Sequence, residues 1–422
     1  MQEQYNYKSV VTAVKQPVIS FLKTKSIFYL MQGGIYCMFQ LLLAIIYAAF
    51  ISLGLPDSLL GSAWPSMYPG FGVPVSFAGI ISMIIAAGTI VSSLMSDRLT
   101  RRLGTGKVTA ISVAMTALAL LGFSFSGAFW MLCLWAIPYG LGAGSVDAAL
   151  NNYVALHYNS RHMSWLHCFW GVGTIISPYI MSYALTTSVW QNGYRMVSFL
   201  QMGITVILLV TLPVWKVNRK ANEQKAEQAA VIGIRGALKI KGVPQLLLGF
   251  FSYCSLESTL LLWSSSYLVG AKGVTAQKAA AFASLFCIGI TAGRFLSGLV
   301  TEKLGDYNLI RIGTGILLLG CIAMILPLKT DAAALGGLVV MGLGCAPVYP
   351  SIIHATPDNF GAQNSQAIIG IQMASAYVGS TFMPPVFGLI ANHISVALMP
   401  FFVLFFIVLM YIMVKKTFQN RA

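Results

Sequence analysis

Asp57, Asp147 and Glu257 each lie deep within a long apolar stretch of the chain. Near the centre of a bilayer an ionised acid costs roughly 2.5 to 3.5 kcal/mol on insertion scales, so three represent on the order of 10 kcal/mol unless they are paired, protonated or facing water. Such acids suit the binding of a coupling ion or of a polar solute. Asp147 and Asn151 are four residues apart and share one helix face, with Asn152 beside them. A carboxylate next to amides offers acceptors and donors for sugar hydroxyls, and protonation removes its charge from an apolar setting. The plainer reading is a neutral acid that satisfies polar groups of a neighbouring helix.

The other polar residues in the apolar spans divide in the same way. Arg294 precedes Lys303 by nine residues, about 13 Å along a helix; it either pairs with Glu257 or holds substrate in a cavity, or snorkels to the interface. His167 suits a gate or proton relay, or else an interfacial histidine. Trp263 and Tyr349 can stack on the apolar face of a sugar, whereas Trp64 and Tyr68 fit an interfacial belt better. Gln372, Tyr377 and Asn359 are candidate contacts that can equally hold helices together. Asp97, Arg98 and Arg101 form a charge cluster after the second apolar span. The seven cysteines (37, 133, 168, 254, 287, 321 and 345) lie in apolar spans without a CxxC pair or a metal-like histidine partner, and read as small membrane hydrophobes. No metal site is expected.

The elements that must position these residues are membrane helices. The 422 residues are 57% hydrophobic and 9% charged, a composition that excludes a soluble domain of this size. Apolar segments of about 20 residues or more give six spans between residues 38 and 215 and six more between 244 and 414. Of the 26 Lys and Arg, only Arg195, Lys272, Lys278 and Lys329 fall in the outer loops and Arg294 within a span. The positive-inside rule therefore places both termini in the cytoplasm. The net charge of +15 lies in short loops, not in a stripe, so no nucleic-acid partner is expected. The first 26 residues lack the apolar core of a cleavable signal peptide, and residues 27–37 either extend the first helix or form an interfacial segment before it.

The chain also repeats itself. Asp57-Ser58, with Trp64 and Tyr68 beyond, matches Glu257-Ser258, with Trp263 and Tyr267 beyond, and Gly140-Leu141-Gly142 matches Gly342-Leu343-Gly344. Gly173 with Pro178 matches Gly379 with Pro384. The ordered offset, about 200 residues and slowly growing, indicates duplication. The predicted fold is an all-α integral membrane protein of twelve transmembrane helices in two pseudo-symmetric six-helix bundles: 1–215 and 243–422, joined by a basic cytoplasmic linker at 216–242. Asp57, Asp147 and Glu257 then begin successive three-helix units around one cavity.

Ser96-Asp97-Arg98 through Arg101-Arg102-Leu103-Gly104, and its echo at Gly293-Arg294 through Glu302-Lys303-Leu304-Gly305, resemble the loop signature of the major facilitator superfamily. Gly54-Leu55-Pro56-Asp57-Ser58, Gly142 to Asp147 with Asn151, and His167 with Gly171 and Gly173 resemble its fucose:proton symporter group. The resemblance implies that Asp57 and Asp147 are the functional carboxylates, although the fucose permeases carry a Glu where Asp147 stands. It also implies a cytoplasmic latch in which Asp97 meets helix ends of the other bundle.

The expected function is a proton-coupled symporter of a small polar solute, a monosaccharide by preference, working by alternating access in the inner or plasma membrane. Asp57, Asp147 and Glu257 would couple the ion; Asn151, Asn152, Trp263, Arg294, Tyr349 and Gln372 would bind substrate; Asp97, Arg98, Arg101 and His167 would gate. No ATP-binding loop is present, so no cofactor is expected, and a proton gradient, or a sodium gradient in its place, supplies the energy. The partners are the solute and the bilayer, and the carrier is expected to be a monomer, not an enzyme. A drug or metabolite/proton antiporter on the same scaffold is the first alternative. A non-transporting membrane sensor is a second, and it lacks a sizeable soluble module. An intramembrane hydrolase lacks a suitable residue set.

Overall fold

Proline and glycine set the first break in the chain. Pro56 has no N–H to donate and ends the helix that begins at Lys25; the backbone turns through residues 55–58 and resumes at Leu59. The computed structural model describes residues 25–215, 233–274, 276–326 and 332–419, and the side chains among these except at 25–38, 75 and 276–285. Lys8, Lys15 and Lys23 and most of the expected linker lie outside the described residues.

The first half comprises α1 (Lys25–Gly54), α2 (Leu59–Phe71), α3 (Ala78–Leu103), α4 (Thr105–Ser124), α5 (Phe129–His157), α6 (Ser160–Thr187) and α7 (Trp190–Val210). A short α8 (Gly233–Lys239) leads into the second half: α9 (Val243–Lys272), α10 (Ala276–Leu304), α11 (Asp306–Ile325), the interrupted α12 (Ala332–Cys345) and α13 (Val348–His354), then α14 (Thr356–Phe360), α15 (Ala362–His393) and α16 (Met399–Gln419). Residues 27–37 continue the first helix. Eleven described helical segments are long and apolar enough to cross a membrane, and α10, with 29 residues, completes twelve passes in two halves.

Small residues let these helices approach backbone to backbone, the usual means of close packing in membranes. A Cβ on Gly140 or Gly144 of α5 would lie 2.2 Å from the carbonyl oxygen of Ile85 or Thr89 on α3. One on Gly173 of α6 would lie 2.3 Å from the Ile51 oxygen of α1, and one on Gly379 of α15 2.6 Å from the Phe251 oxygen of α9. The last two contacts sit at repeat-related positions, so the duplication read in the sequence is also a duplication of packing. Large apolar side chains such as Leu319, Leu389 and Phe405 remain exposed, as a bilayer-facing surface requires.

The halves meet chiefly through α6 with α10 and through α15 with α3 and α5. Their polar contacts gather at the end that carries the basic loop after α3. Arg161 Nη2 donates to Glu302 at 2.9 Å, Thr301 Oγ1 to Ser160 at 3.0 Å, and Ser365 Oγ to Asn152 at 2.6 Å. Gln366 Nε2 reaches Ser96 at 3.4 Å, and His354 Nε2 lies 3.2 Å from the Tyr158 carbonyl oxygen. At the opposite end α2 packs on α3, α6 and α7 of its own half. The contacts thus close the basic end.

Candidate functional site

The break before α2 and the contact of α1 with α6 fix the first acid. Gly54 touches the backbone of Trp170, where a Cβ would stand 2.1 Å from its carbonyl oxygen; only glycine permits that approach. Asp57, three residues on, accepts from Trp170 Nε1 at 2.9 Å and from Tyr139 Oη at 3.3 Å. Its side chain stays exposed, and both oxygens have a donor.

The second acid is enclosed. Asp147 of α5 is 4% exposed, and its Oδ2 accepts from Tyr377 Oη of α15 at 2.8 Å, a bond between the halves. Its Oδ1 accepts from Asn151 Nδ2 at 2.8 Å. With that amide nitrogen committed, Asn151 Oδ1 faces His167 Nε2 at 3.0 Å, so Nε2 carries the hydrogen of that bond. A continuous chain therefore runs from Tyr377 through Asp147 and Asn151 to His167. The His167 ring meets Tyr349 edge-on at 4.7 Å. Asp57 and Asp147 lie within electrostatic range of each other.

Glu257, the repeat mate of Asp57, has a different setting. Arg294 Nη2 donates to its Oε1 at 3.2 Å, and Tyr253 Oη, with one proton to give, lies 3.1 Å from the same oxygen and 3.0 Å from the Cys345 carbonyl oxygen. Arg294 is 3% exposed, so it does not snorkel; its guanidinium lies 5.5 Å from the Trp170 ring and 5.9 Å from that of Tyr349. The charge of Glu257 is balanced within its own half. Tyr349 is in electrostatic range of both Asp147 and Glu257.

Other expected residues have other surroundings. Asn152 accepts from Ser365 in the closed basic end, away from Asp147. Trp263 Nε1 donates to the Pro384 carbonyl oxygen at 2.9 Å and its ring packs on Phe387, both within the second half. Gln372 is fully buried and accepts from Thr356 at 3.1 Å. Asp97 accepts from Arg101 one turn along α3 at 2.9 Å, while its neighbour Ser96 makes the contact with Gln366; Arg98 is exposed. Trp64 is buried against Tyr68 and Phe129. Sequence reasoning passed over Trp170, Tyr139 and Tyr253 at the site. Two of them carried a signal: Trp170 is three residues after His167 and Tyr253 four before Glu257, each on a shared helix face. Among the described residues no group of His, Cys, Asp and Glu could hold a metal ion.

The family model described as Major Facilitator Superfamily matches residues 46–338. The glucose/mannose transporter of Bacillus subtilis is 21% identical over 72% of this chain and 77% of its own length. Bypass of stop codon protein 6 of Saccharomyces cerevisiae is 21% identical over 83% of this chain and 77% of its own. Among solved structures, the major facilitator transporter FucP in the outward conformation superposes with a TM-score of 0.71 at 15% identity, covering 89% of this chain and 98% of that one. The proton:xylose symporter XylE gives 0.74 at 11%, covering 93% and 96%. Twelve helical passes in two repeated halves, a buried acid bonded across them and a family match over most of the length place this chain in the major facilitator superfamily, as a multi-pass membrane transporter and not an enzyme.

Proposed function

We propose that the protein is a proton-coupled symporter of a monosaccharide, seen here closed at its cytoplasmic, basic end. The observation that carries this reading is Asp147. It is a buried carboxylate held by Tyr377 from the opposite half, beside an amide that suits sugar hydroxyls. Asp57 is exposed and serves as the entry point for the proton. Glu257 already has Arg294 as counter-ion, so the coupling proton falls to the two aspartates. One proton taken up by this pair removes charge that the occluded carrier would otherwise enclose, sugar bound across Asn151, Tyr377 and Arg294 favours the same occluded state, and from that state the basic end opens. Coupling follows because ion and sugar both shift one equilibrium. The glucose/mannose and xylose carriers among the relatives support this solute class.

Purified protein in proteoliposomes, offered labelled L-fucose, D-glucose, D-mannose and D-xylose under imposed proton or sodium gradients, tests the proposal. The expected result is accumulation of one sugar driven by an inward proton gradient and abolished by a protonophore. Accumulation driven by sodium alone refutes the proton. Export of organic cations in exchange for protons, with no sugar uptake, refutes the symporter.

A further inference from the structure

We propose that Trp170 is the positioning residue that joins Asp57 of the first half to the Arg294–Glu257 pair of the second, and that its indole N–H bond to Asp57 helps hold the basic end shut. This rests on reading Asp57 as a proton-binding acid. Trp170 is placed for both tasks at once: its Nε1 donates to Asp57 Oδ2 at 2.9 Å, while its ring lies 5.5 Å from the Arg294 guanidinium. It stands on α6, the first-half helix that packs most widely on α10. The next residue, Gly171, packs so closely on Thr291 that a Cβ would lie 2.6 Å from its hydroxyl oxygen. Five residues earlier Trp165 makes a second crossing of the same kind. Its ring stacks on Phe295 with centroids 6.1 Å apart, and its Nε1 donates to the Phe295 carbonyl oxygen at 3.3 Å.

The charges around this junction define the switch. Asp57 faces Tyr139 and Asp147 of α5 and Tyr377 of α15 in addition to Trp170. Arg294 faces Glu257 and Tyr253 of α9, Tyr349 of α13, and His167 and Cys168 of α6. Among the described residues, the indole bridges the two sets by hydrogen bond and ring face together. A carboxylate accepts an indole N–H more strongly than a neutral carboxyl does. When Asp57 takes a proton the ring is held less firmly, its face leaves Arg294 more readily, and the α6–α10 contact loosens. Proton arrival from one side is thereby converted into opening on the other.

Hydrogen–deuterium exchange on the full-length protein in lipid nanodiscs, without substrate, reads the basic end directly at residues 159–170 and 295–304. In the wild type these segments are expected to exchange roughly tenfold faster in mildly acid than in mildly alkaline buffer, after correction for intrinsic rates, the effect of weakening one charge-assisted bond. Asp57→Asn, which mimics the protonated acid, is expected to exchange fast at both. Trp170→Phe keeps a ring for Arg294 but has no N–H, and is expected to behave as Asp57→Asn does. Arg294→Lys keeps the charge beside Glu257 without the flat guanidinium and is expected to lose the step as well; it decides the matter where Trp170→Phe does not fold. A wild-type pH step in Trp170→Phe, or in Arg294→Lys where that decides, with the step lost in Asp57→Asn, overturns the role of Trp170 and leaves Asp57 as the coupling acid. A step that persists in Asp57→Asn overturns the coupling reading of Asp57, and the link through Trp170 with it.

Discussion

Replacing Asp147 by Asn separates structure from coupling at the buried acid. The substitution is isosteric and keeps both hydrogen bonds: the new amide oxygen accepts from Asn151 Nδ2, and the new amide nitrogen donates to Tyr377 Oη, which accepts as readily as it donates. Folding should therefore change by less than about 1 kcal/mol, the range of a neutral exchange of partners. The ability to take up a proton is lost. One proton carried per sugar across one pH unit supplies about 1.4 kcal/mol, a tenfold concentration ratio. Wild-type proteoliposomes should approach that ratio for each unit of imposed gradient. Those with Asp147→Asn should stop near equality while still exchanging labelled for unlabelled sugar. Uptake against a gradient and counterflow, measured on the same preparation, are the assay. Accumulation near tenfold per pH unit in the variant refutes the assignment of the proton to Asp147, and the same pair of measurements on Asp57→Asn tells whether Asp57 carries it.

Tyr377→Phe deletes the bond between the halves at Asp147 Oδ2. A hydrogen bond to a charged group contributes about 1.5 to 3 kcal/mol, so sugar affinity is expected to fall at least about tenfold in equilibrium binding. Arg294→Met leaves Glu257 as an unbalanced buried acid, which costs about 3 to 5 kcal/mol; thermal unfolding in detergent should show a large loss, partly restored by adding Glu257→Gln. Gly54→Ala drives a methyl into the Trp170 backbone, and overpacking of this kind costs about 1 to 3 kcal/mol, seen in the same unfolding assay. Glu302→Gln breaks a pair whose side chains are 36% and 39% exposed, so it should shift the basic end toward opening by less than about 1 kcal/mol and lose its effect in high salt.

The sequence revealed what depends on repetition and on cost. Helical spans follow from apolar length, the two halves from the offset between Asp57 and Glu257, and the acids from the penalty of burying charge. The direction in which each polar side chain turns was harder to read. Asn151 and Asn152 are adjacent, yet a helix rotates about 100° per residue, so one meets Asp147 and the other meets Ser365 across the basic end. Trp170 could be taken for a membrane-interface tryptophan, because its partners lie in the turn after α1 and on α10, 113 residues before it in one case. Gln372 and Trp263 are amphipathic enough for a binding site, but their polar atoms bond Thr356 and Pro384 within the second half. Partner choice of this kind depends on packing between distant segments, which periodicity does not encode.

The acids show how the two halves have diverged. The first half breaks its opening helix at Pro56, so Asp57 stays exposed, with two neutral hydrogen-bond donors, Tyr139 and Trp170. In the second half α9 runs unbroken through Glu257, which Arg294 balances. A charge that must come and go during a transport cycle needs a site where both protonation states are tolerated, and neutral donors with access to water supply one. A permanent ion pair resists such change, since removing either charge strands the other in low dielectric. The pair instead gives the second half a fixed cation, Arg294, against which ring faces and sugar hydroxyls can be placed. On this view the duplicated helices have divided the work, the first half titrating and the second half holding still, with Asp147 and Tyr377 binding the two together where the solute must pass.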